Sequence, residues 1–361
     1  MTYLLFIVGL ITLIAGAEVL VRGASRLAAV FGVSPLVIGL TIVAFGTSSP
    51  EMAVSVQSAL AGQADISIGN VIGSNVFNVF LILGLAALIR PIKIAEQLIR
   101  LDAPIMVGVS IFALVLAFDG WLSRLEGIIL FSLLIAYIVF TLWASKKEGQ
   151  AVQDEYAEEY SSTEAKGWKT ITKNLFFVVA GLAMLYYGSN WLVEAAIIIA
   201  RTFGVSELVI GLTIVAAGTS MPEVATSIVA AIKGEGDISA GNVIGSNIFN
   251  ILGVLGLAAA TTPESIPVAR FILTFDLPVA IFAAMITIPV FIVDNYISRF
   301  DGFIFFTYFV FYNLLVVMRA LSNPSVPMFE SFLMAYIPLT FFIFLALAAR
   351  YLWQRRRNAS P

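Results

Sequence analysis

Two carboxylates, Glu51 and Glu223, end the same polar string: Gly46-Thr47-Ser48-Ser49-Pro50-Glu51 and Gly218-Thr219-Ser220-Met221-Pro222-Glu223. On a helix Thr47 lies four residues from Glu51 and Ser48 three, so hydroxyls and carboxylate are expected on one patch. Thr219, Ser220 and Glu223 repeat that patch. Proline has no N–H, and its ring clashes with the carbonyl four residues back. Pro50 therefore frees the Gly46 carbonyl, and Pro222 that of Gly218. Carboxylate, hydroxyl and unwound carbonyl make an all-oxygen ligand set, and Ca²⁺ takes about six to eight oxygens at about 2.3–2.6 Å. The chain has neither histidine nor cysteine. That leaves hard cations such as Na⁺, Ca²⁺ or Mg²⁺ as its metals, and it excludes disulfides, thiolate sites and thiol catalysis.

Both strings lie within longer copies. Residues 31–51 recur at 203–223 with changes at Pro35/Glu207, Phe45/Ala217 and Ser49/Met221, and 65–78 recur at 237–250 with the same offset of 172 residues. The second copy pair reads GNVIGSN-x-FN. Gly69 and Gly73 there form a small-xxx-small face that lets helices approach closely. Ser74 and Asn78 lie four apart on another strip, as do Ser246 and Asn250, and these four are read as further ligands. Asn70 and Asn242 fit either a ligand role or interhelical hydrogen bonding.

These residues must be positioned inside lipid. The chain is 60% hydrophobic and 12% charged, against about 25% charged in soluble domains. Apolar runs long enough to span, about 20 residues, fall at 3–21, 34–60, 67–89, 103–118, 125–144, 172–193, 206–232, 239–260, 271–293, 302–319 and 331–353. The expected fold is an all-α polytopic membrane protein: two five-helix repeats, 1–144 and 172–320, and one extra C-terminal helix with a basic tail in 321–361. The repeated motifs occupy 39–78 and 211–250, and a cytoplasmic linker occupies 145–171. Five is odd, so the second repeat enters the membrane upside down. Inverted repeats place a substrate site near the midplane, at broken helices, and allow access from alternate sides. An acid at membrane depth costs about 2.5–3.5 kcal/mol on insertion scales, so its default reading is functional.

Lys and Arg set the orientation. With the N-terminus outside and the C-terminus in the cytoplasm, sixteen basic residues fall inside and four outside: Arg124, Arg201, Arg270 and Arg319. The first run lacks a basic leader and a cleavage site, so it is expected to be a retained helix. Other charges have ordinary roles. Glu18 and Arg22 form an i,i+4 pair, Asp102 and Asp276 sit at helix starts before prolines, and Arg124/Glu126 and Arg299/Asp301 lie in interfacial loops. A net charge of −3 gives no sign of a nucleic-acid partner. No cofactor is expected, and one copy of the chain suffices for the site.

GTSxPE paired with GNVxGSNxFN, twice and inverted, closely resembles the two alpha-repeats of the cation/calcium antiporter superfamily. Within it the chain is similar to prokaryotic sodium/calcium exchangers, over spans 1–10. The resemblance implies a ten-helix core with four clustered cation sites, one for Ca²⁺, and exchange of three Na⁺ for one Ca²⁺. It implies ligands from Thr47, Ser48, Glu51, Ser74 and Asn78, and from Thr219, Ser220, Glu223, Ser246 and Asn250. It also implies backbone carbonyls from Ala44 and Ala216. Some relatives, the potassium-dependent ones included, carry Asp where this chain has Asn250, so the site is less charged here. Proton-coupled relatives usually replace Thr-Ser-x-Pro-Glu, and its retention favours Na⁺ as the driving ion in the membrane of a prokaryotic cell.

The expected function is therefore electrogenic, K⁺-independent Na⁺/Ca²⁺ antiport by alternating access. A proton/calcium exchanger is the nearest rival, because Glu51 and Glu223 could carry protons. A cation channel with acids lining its pore fits two broken helices less well. An enzyme lacks any Ser/His or His/Glu constellation.

Overall fold

The computed structural model describes residues 1–31, 33–145, 168–205, 210, 214 and 216–358. Glycines decide how the halves meet. Helix α1 (Thr2–Phe31) packs against α7 (Trp168–Thr202). A Cβ placed on Gly9, Gly16 or Gly23 would come within 3.1 Å of the backbone nitrogens of Leu192, Leu185 and Val178 respectively. Rising numbers on one helix meet falling numbers on the other, so the first helices of the two repeats run antiparallel. Only residues without side chains allow that approach.

The second span is broken. Helices α2 (Pro35–Thr47) and α3 (Ser49–Leu60) meet at 45°, with Ser48 at φ −82°, ψ 5° between them. Pro50 stands in the first turn of α3, where a missing N–H costs nothing. After Gly62, in the left-handed region at φ 74°, α4 (Ala64–Ile89) follows, then α5 (Leu98–Asp119) and α6 (Arg124–Ser145). The second repeat continues from α7 through a short turn at Ala216–Gly218 to α8 (Met221–Lys233), α9 (Gly236–Thr261), α10 (Ile272–Ile292) and α11 (Arg299–Ala320). Ser220 (φ −86°, ψ 6°) repeats the break. Most of 206–215 lies outside the described residues, as does 146–167, the bulk of the expected linker. Residues 168–171, assigned to that linker from sequence, belong to α7.

Two short antiparallel ladders tie the repeats together. Strand β1 (Ile92–Lys93) pairs with β4 (Tyr296–Ile297), and β2 (Trp121–Leu122) pairs with β3 (Ile266–Pro267). Helices α4 and α9 are innermost: 72% and 89% of their most apolar windows are buried, against 17% for α11. The structure is thus a helical membrane protein of two inverted repeats. The extra helix α12 (Val326–Asn358) lies outside them, against α10 and α11. Tyr336 and Thr307 share a hydroxyl–hydroxyl bond of 2.6 Å, Tyr308 bonds Thr340, and Arg319 pairs with Glu330 at 2.6 Å.

Asp102 and Asp276 stand, as expected, immediately before the α-helical stretches Ala103–Leu116 and Leu277–Ile292 with proline in the first turn, and each also closes the π-helical turn that precedes it (Leu98–Asp102, Ile272–Asp276). Each accepts from a tyrosine one span away, Tyr137 to Asp102 (2.9 Å) and Tyr312 to Asp276 (3.0 Å), and Asp102 also accepts from Gln97 Nε2 (3.1 Å). One expectation about charges needs correction: Glu126 and Asp301 are not loop residues. Each accepts from the backbone N–H of the serine three residues earlier, Ser123 (2.7 Å) and Ser298 (2.8 Å), capping α6 and α11. Glu18 pairs with Arg22 at 2.8 Å as expected, and also with Lys233 of α8 at 3.1 Å.

Candidate functional site

Glu51 and Glu223 stand in the first turns of α3 and α8, both essentially inaccessible to solvent. From spacing, each serine is expected beside the carboxylate of its own string; the structure crosses them. Ser220 Oγ donates to Glu51 Oε1 (2.8 Å), and Ser48 Oγ donates to Glu223 Oε1 (3.1 Å). The chain turns at Ser48 and Ser220, so the i,i+3 geometry of a continuous helix does not hold. Each hydroxyl instead faces the other repeat. Ser74 Oγ lies 3.1 Å from Ser220 Oγ, whose lone pairs are free to accept from it, bringing Glu51, Ser74 and Ser220 into one cluster.

Thr47 and Thr219 turn to the asparagines that had two readings. Thr47 Oγ1 donates to Asn242 Oδ1 (3.1 Å), and Thr219 Oγ1 to Asn70 Oδ1 (3.2 Å). Asn70 in turn donates to Ser55 Oγ (2.9 Å), and Asn242 to Ser227 Oγ (3.0 Å). Asn70 and Asn242 therefore brace the broken helices. The Ala44 carbonyl accepts from the Ser48 N–H at 3.0 Å, and Thr47 Oγ1 lies 3.4 Å from it. Ala216 opens the corresponding turn of the second repeat.

Asn78 and Asn250 each begin a π-helical turn (Asn78–Leu83, Asn250–Leu255), a widening often found at functional positions. Their amides cross as the serines do. Asn78 Nδ2 donates to Asn247 Oδ1 (2.9 Å), and Asn250 Nδ2 to Asn75 Oδ1 (3.0 Å). Sequence reasoning passed over Asn75 and Asn247, although GSN-x-FN places an asparagine three residues before each of the two it chose.

Among the described residues eleven buried side-chain oxygens have no hydrogen-bond partner, and five of them belong to residues expected as ligands: Glu51 Oε2, Glu223 Oε2, Asn78 Oδ1, Asn250 Oδ1 and Ser246 Oγ. Leaving a buried acceptor unsatisfied costs about 1–3 kcal/mol, more when it is charged. The first four are two symmetry-related pairs: the carboxylates on α3 and α8, and the amides on the innermost helices α4 and α9. Carboxylate and amide oxygens left free of donors are the ligands a hard cation takes.

A cavity of about 690 Å³ reaches this region from one side. Its walls include Asp65, Gly69, Asn70, Gly73 and Ser74 of α4, Thr219, and Asp276, Phe309 and Tyr312 of α10 and α11. Its lining runs along α4 from Ser74 to Asp65, two residues beyond Gln63. Gly69 and Gly73 were expected to admit a neighbouring helix. A Cβ on either would meet nothing within 4 Å, because both face the cavity. Their counterparts on α9 are closed in: a Cβ on Gly241 would lie 3.1 Å from the Leu36 carbonyl oxygen, and one on Gly245 2.8 Å from the Leu40 Cα.

Comparison with known proteins agrees with this architecture. Residues 1–143 and 173–318 match the family model described as sodium/calcium exchanger protein. The sodium/calcium exchanger MaX1 of Methanosarcina acetivorans is 36% identical over 341 residues, covering 85% of this chain and 96% of its own. The inner membrane protein YrbG of Escherichia coli is 41% identical over 265 residues, 73% of this chain and 80% of its own. The solved structure of the sodium-calcium exchanger NCX_Mj superposes with a TM-score of 0.73 at 32% identity, covering 86% of this chain and 96% of that one. With two inverted repeats in place and the family model matched over 1–143 and 173–318, the chain belongs to the sodium/calcium exchanger family of multi-pass membrane antiporters.

Proposed function

We propose that this protein exchanges Na⁺ for Ca²⁺ across a prokaryotic cell membrane, with its N-terminus outside and its C-terminus in the cytoplasm. The observation that carries this reading is the two symmetry-related pairs of undonated oxygens, Glu51/Glu223 and Asn78/Asn250, one member from each inverted repeat, close to a cavity that Ser74 and Thr219 line. In the proposed site Glu51 and Glu223 supply two negative charges, and Asn78, Asn250, Ser74 and Ser246 supply neutral oxygens. Thr47, Ser48, Thr219 and Ser220, with the carbonyls of Ala44 and Ala216, complete the set for Ca²⁺ or Na⁺. Two carboxylates balance one Ca²⁺ at membrane depth, where charge interactions are far stronger than in water.

With Asn at 78 and 250 the site carries no third acid to hold a co-bound K⁺, so transport proceeds without potassium. Three Na⁺ against one Ca²⁺ moves one net charge per cycle, worth about 2.3 kcal/mol per 100 mV. By the positive-inside bias, the open cavity faces outward. Alternating access then requires the second repeat to open as the first closes, and the inverted symmetry provides for it.

The test is ⁴⁵Ca²⁺ uptake into Na⁺-loaded proteoliposomes of the purified protein, with choline replacing K⁺ outside. Uptake is expected to need the Na⁺ gradient, to ignore K⁺, and to rise with inside-positive voltage. Uptake driven equally by a pH jump without Na⁺ would replace Na⁺ with H⁺ as the driving ion. Unitary currents in a bilayer would replace the antiporter with a channel.

A further inference from the structure

Asn75 and Asn247 belong to none of the ligands proposed above, yet they sit where the innermost helices cross. Each is nearly inaccessible, at 3% and 2% exposure. Asn75 Nδ2 donates to the backbone carbonyl of Asn247 (3.2 Å), and Asn247 Nδ2 donates to that of Asn75 (3.3 Å). Reciprocal bonds of this kind fix both amides: each NH₂ is committed to the opposite backbone, and each Oδ1 is left only to accept. Asn247 Oδ1 takes the NH₂ of Asn78, and Asn75 Oδ1 takes that of Asn250.

An asparagine amide has a donor end and an acceptor end of nearly the same shape. A cation is attracted by one and repelled by the other. Resting on the cation-site reading above, we infer that Asn75 and Asn247 are positioning residues. They hold the NH₂ groups of Asn78 and Asn250 away from the ions and so present the Oδ1 atoms to them. The control is crossed: Asn247, on the second repeat, orients Asn78 on the first, and Asn75 orients Asn250. Each half of the binding site is aimed by the other half of the protein. A movement of α4 against α9 would therefore turn the ligand amides as well as open a path.

The crossing makes the inference separable from a packing role. In Na⁺-driven Ca²⁺ uptake, Asn247→Leu, close in size but without the amide, is expected to raise the Ca²⁺ half-saturation about tenfold, the scale of one lost buried hydrogen bond. In an Asn78→Ala background the same change is expected to add less than about twofold, because the group it orients is gone. In an Asn250→Ala background the full tenfold effect returns. Asn75→Leu shows the mirror pattern, coupling to Asn250 and not to Asn78. Asn247→Ala and Asn75→Ala serve as smaller variants if either leucine change prevents folding, judged by size-exclusion profile. Equal effects of Asn247→Leu in both backgrounds would reduce Asn247 to packing and overturn the inference. An unchanged half-saturation in both Asn78→Ala and Asn250→Ala would instead sink the ligand reading on which it rests.

Discussion

Helices α4 and α9 carry nearly the same string, DISIGNVIGSNVFN and DISAGNVIGSNIFN, in opposite surroundings. On α4, Gly69 and Gly73 border the open cavity; on α9, every residue from Ile238 to Phe249 is buried, and Gly245 lies against α2. The difference reaches the polar residues. Ser74 shares a hydroxyl–hydroxyl contact with Ser220, whereas Ser246 Oγ has no partner among the described residues. Two equivalent sequences in unlike environments show that the asymmetry belongs to the conformation and not to the motif. An antiporter that works from both sides needs each copy to fit both surroundings. Glycine does so on the helix faces and asparagine at the crossing.

If the repeats share one site equally, losing either acid should be ruinous. Glu51→Gln and Glu223→Gln are each expected to reduce Ca²⁺ uptake by at least about a hundredfold, with a normal size-exclusion profile. A divalent cation would then lie one charge short in a low-dielectric site. Near-normal uptake in one variant would make the halves unequal.

The inverted relation is next. The loops at Gln63 and Glu235 are repeat equivalents and must lie on opposite faces. In this chain without native cysteine, Gln63→Cys should be labelled by an impermeant maleimide on intact cells, and Glu235→Cys should not. Labelling of both would break the inversion.

The glycine contrast predicts a graded effect. Gly245→Val forces a side chain into the Leu40 backbone, and overpacking costs about 1–3 kcal/mol. Its thermal midpoint should fall. Gly73→Val meets open space here and should leave the midpoint nearly unchanged. It should still slow turnover about tenfold, because the opposite conformer has to close over it as this one closes over Gly245. Matched midpoints for the two variants would mean that both helices are open.

The smallest effect concerns the closed end. Glu18 and Lys233 link α1 to α8 there, while their repeat equivalents, Asn190 and Ala61, carry no charge. Glu18→Gln should modestly raise maleimide labelling at position 235 in inverted vesicles, and high salt should erase the difference because the pair is largely exposed. A large change that persists in salt would mean the pair holds the closed state by more than its charge.

Much of this was legible in the residues alone. Apolar runs of membrane-spanning length, an odd number per repeat, and a proline after each Gly-Thr-Ser string determine spans, inversion and breaks, because these follow from chain length, bilayer thickness and the missing proline N–H. All-oxygen chemistry follows from the absence of histidine and cysteine. What sequence spacing cannot decide is who partners whom across the pseudo-twofold axis. Spacing assigned Ser48 to Glu51 and close helix packing to Gly69 and Gly73. Packing of the two halves gave Ser48 to Glu223 and a cavity to the glycines, while packing within each repeat gave a tyrosine to each of the two aspartates. Packing of the halves also gave Asn75 and Asn247 their place at the crossing. Residues three or four apart are neighbours only while one helix continues. Here the chain breaks at the site, so the nearest groups come from the other repeat, and which copy lies open depends on how the two repeats are packed at that moment.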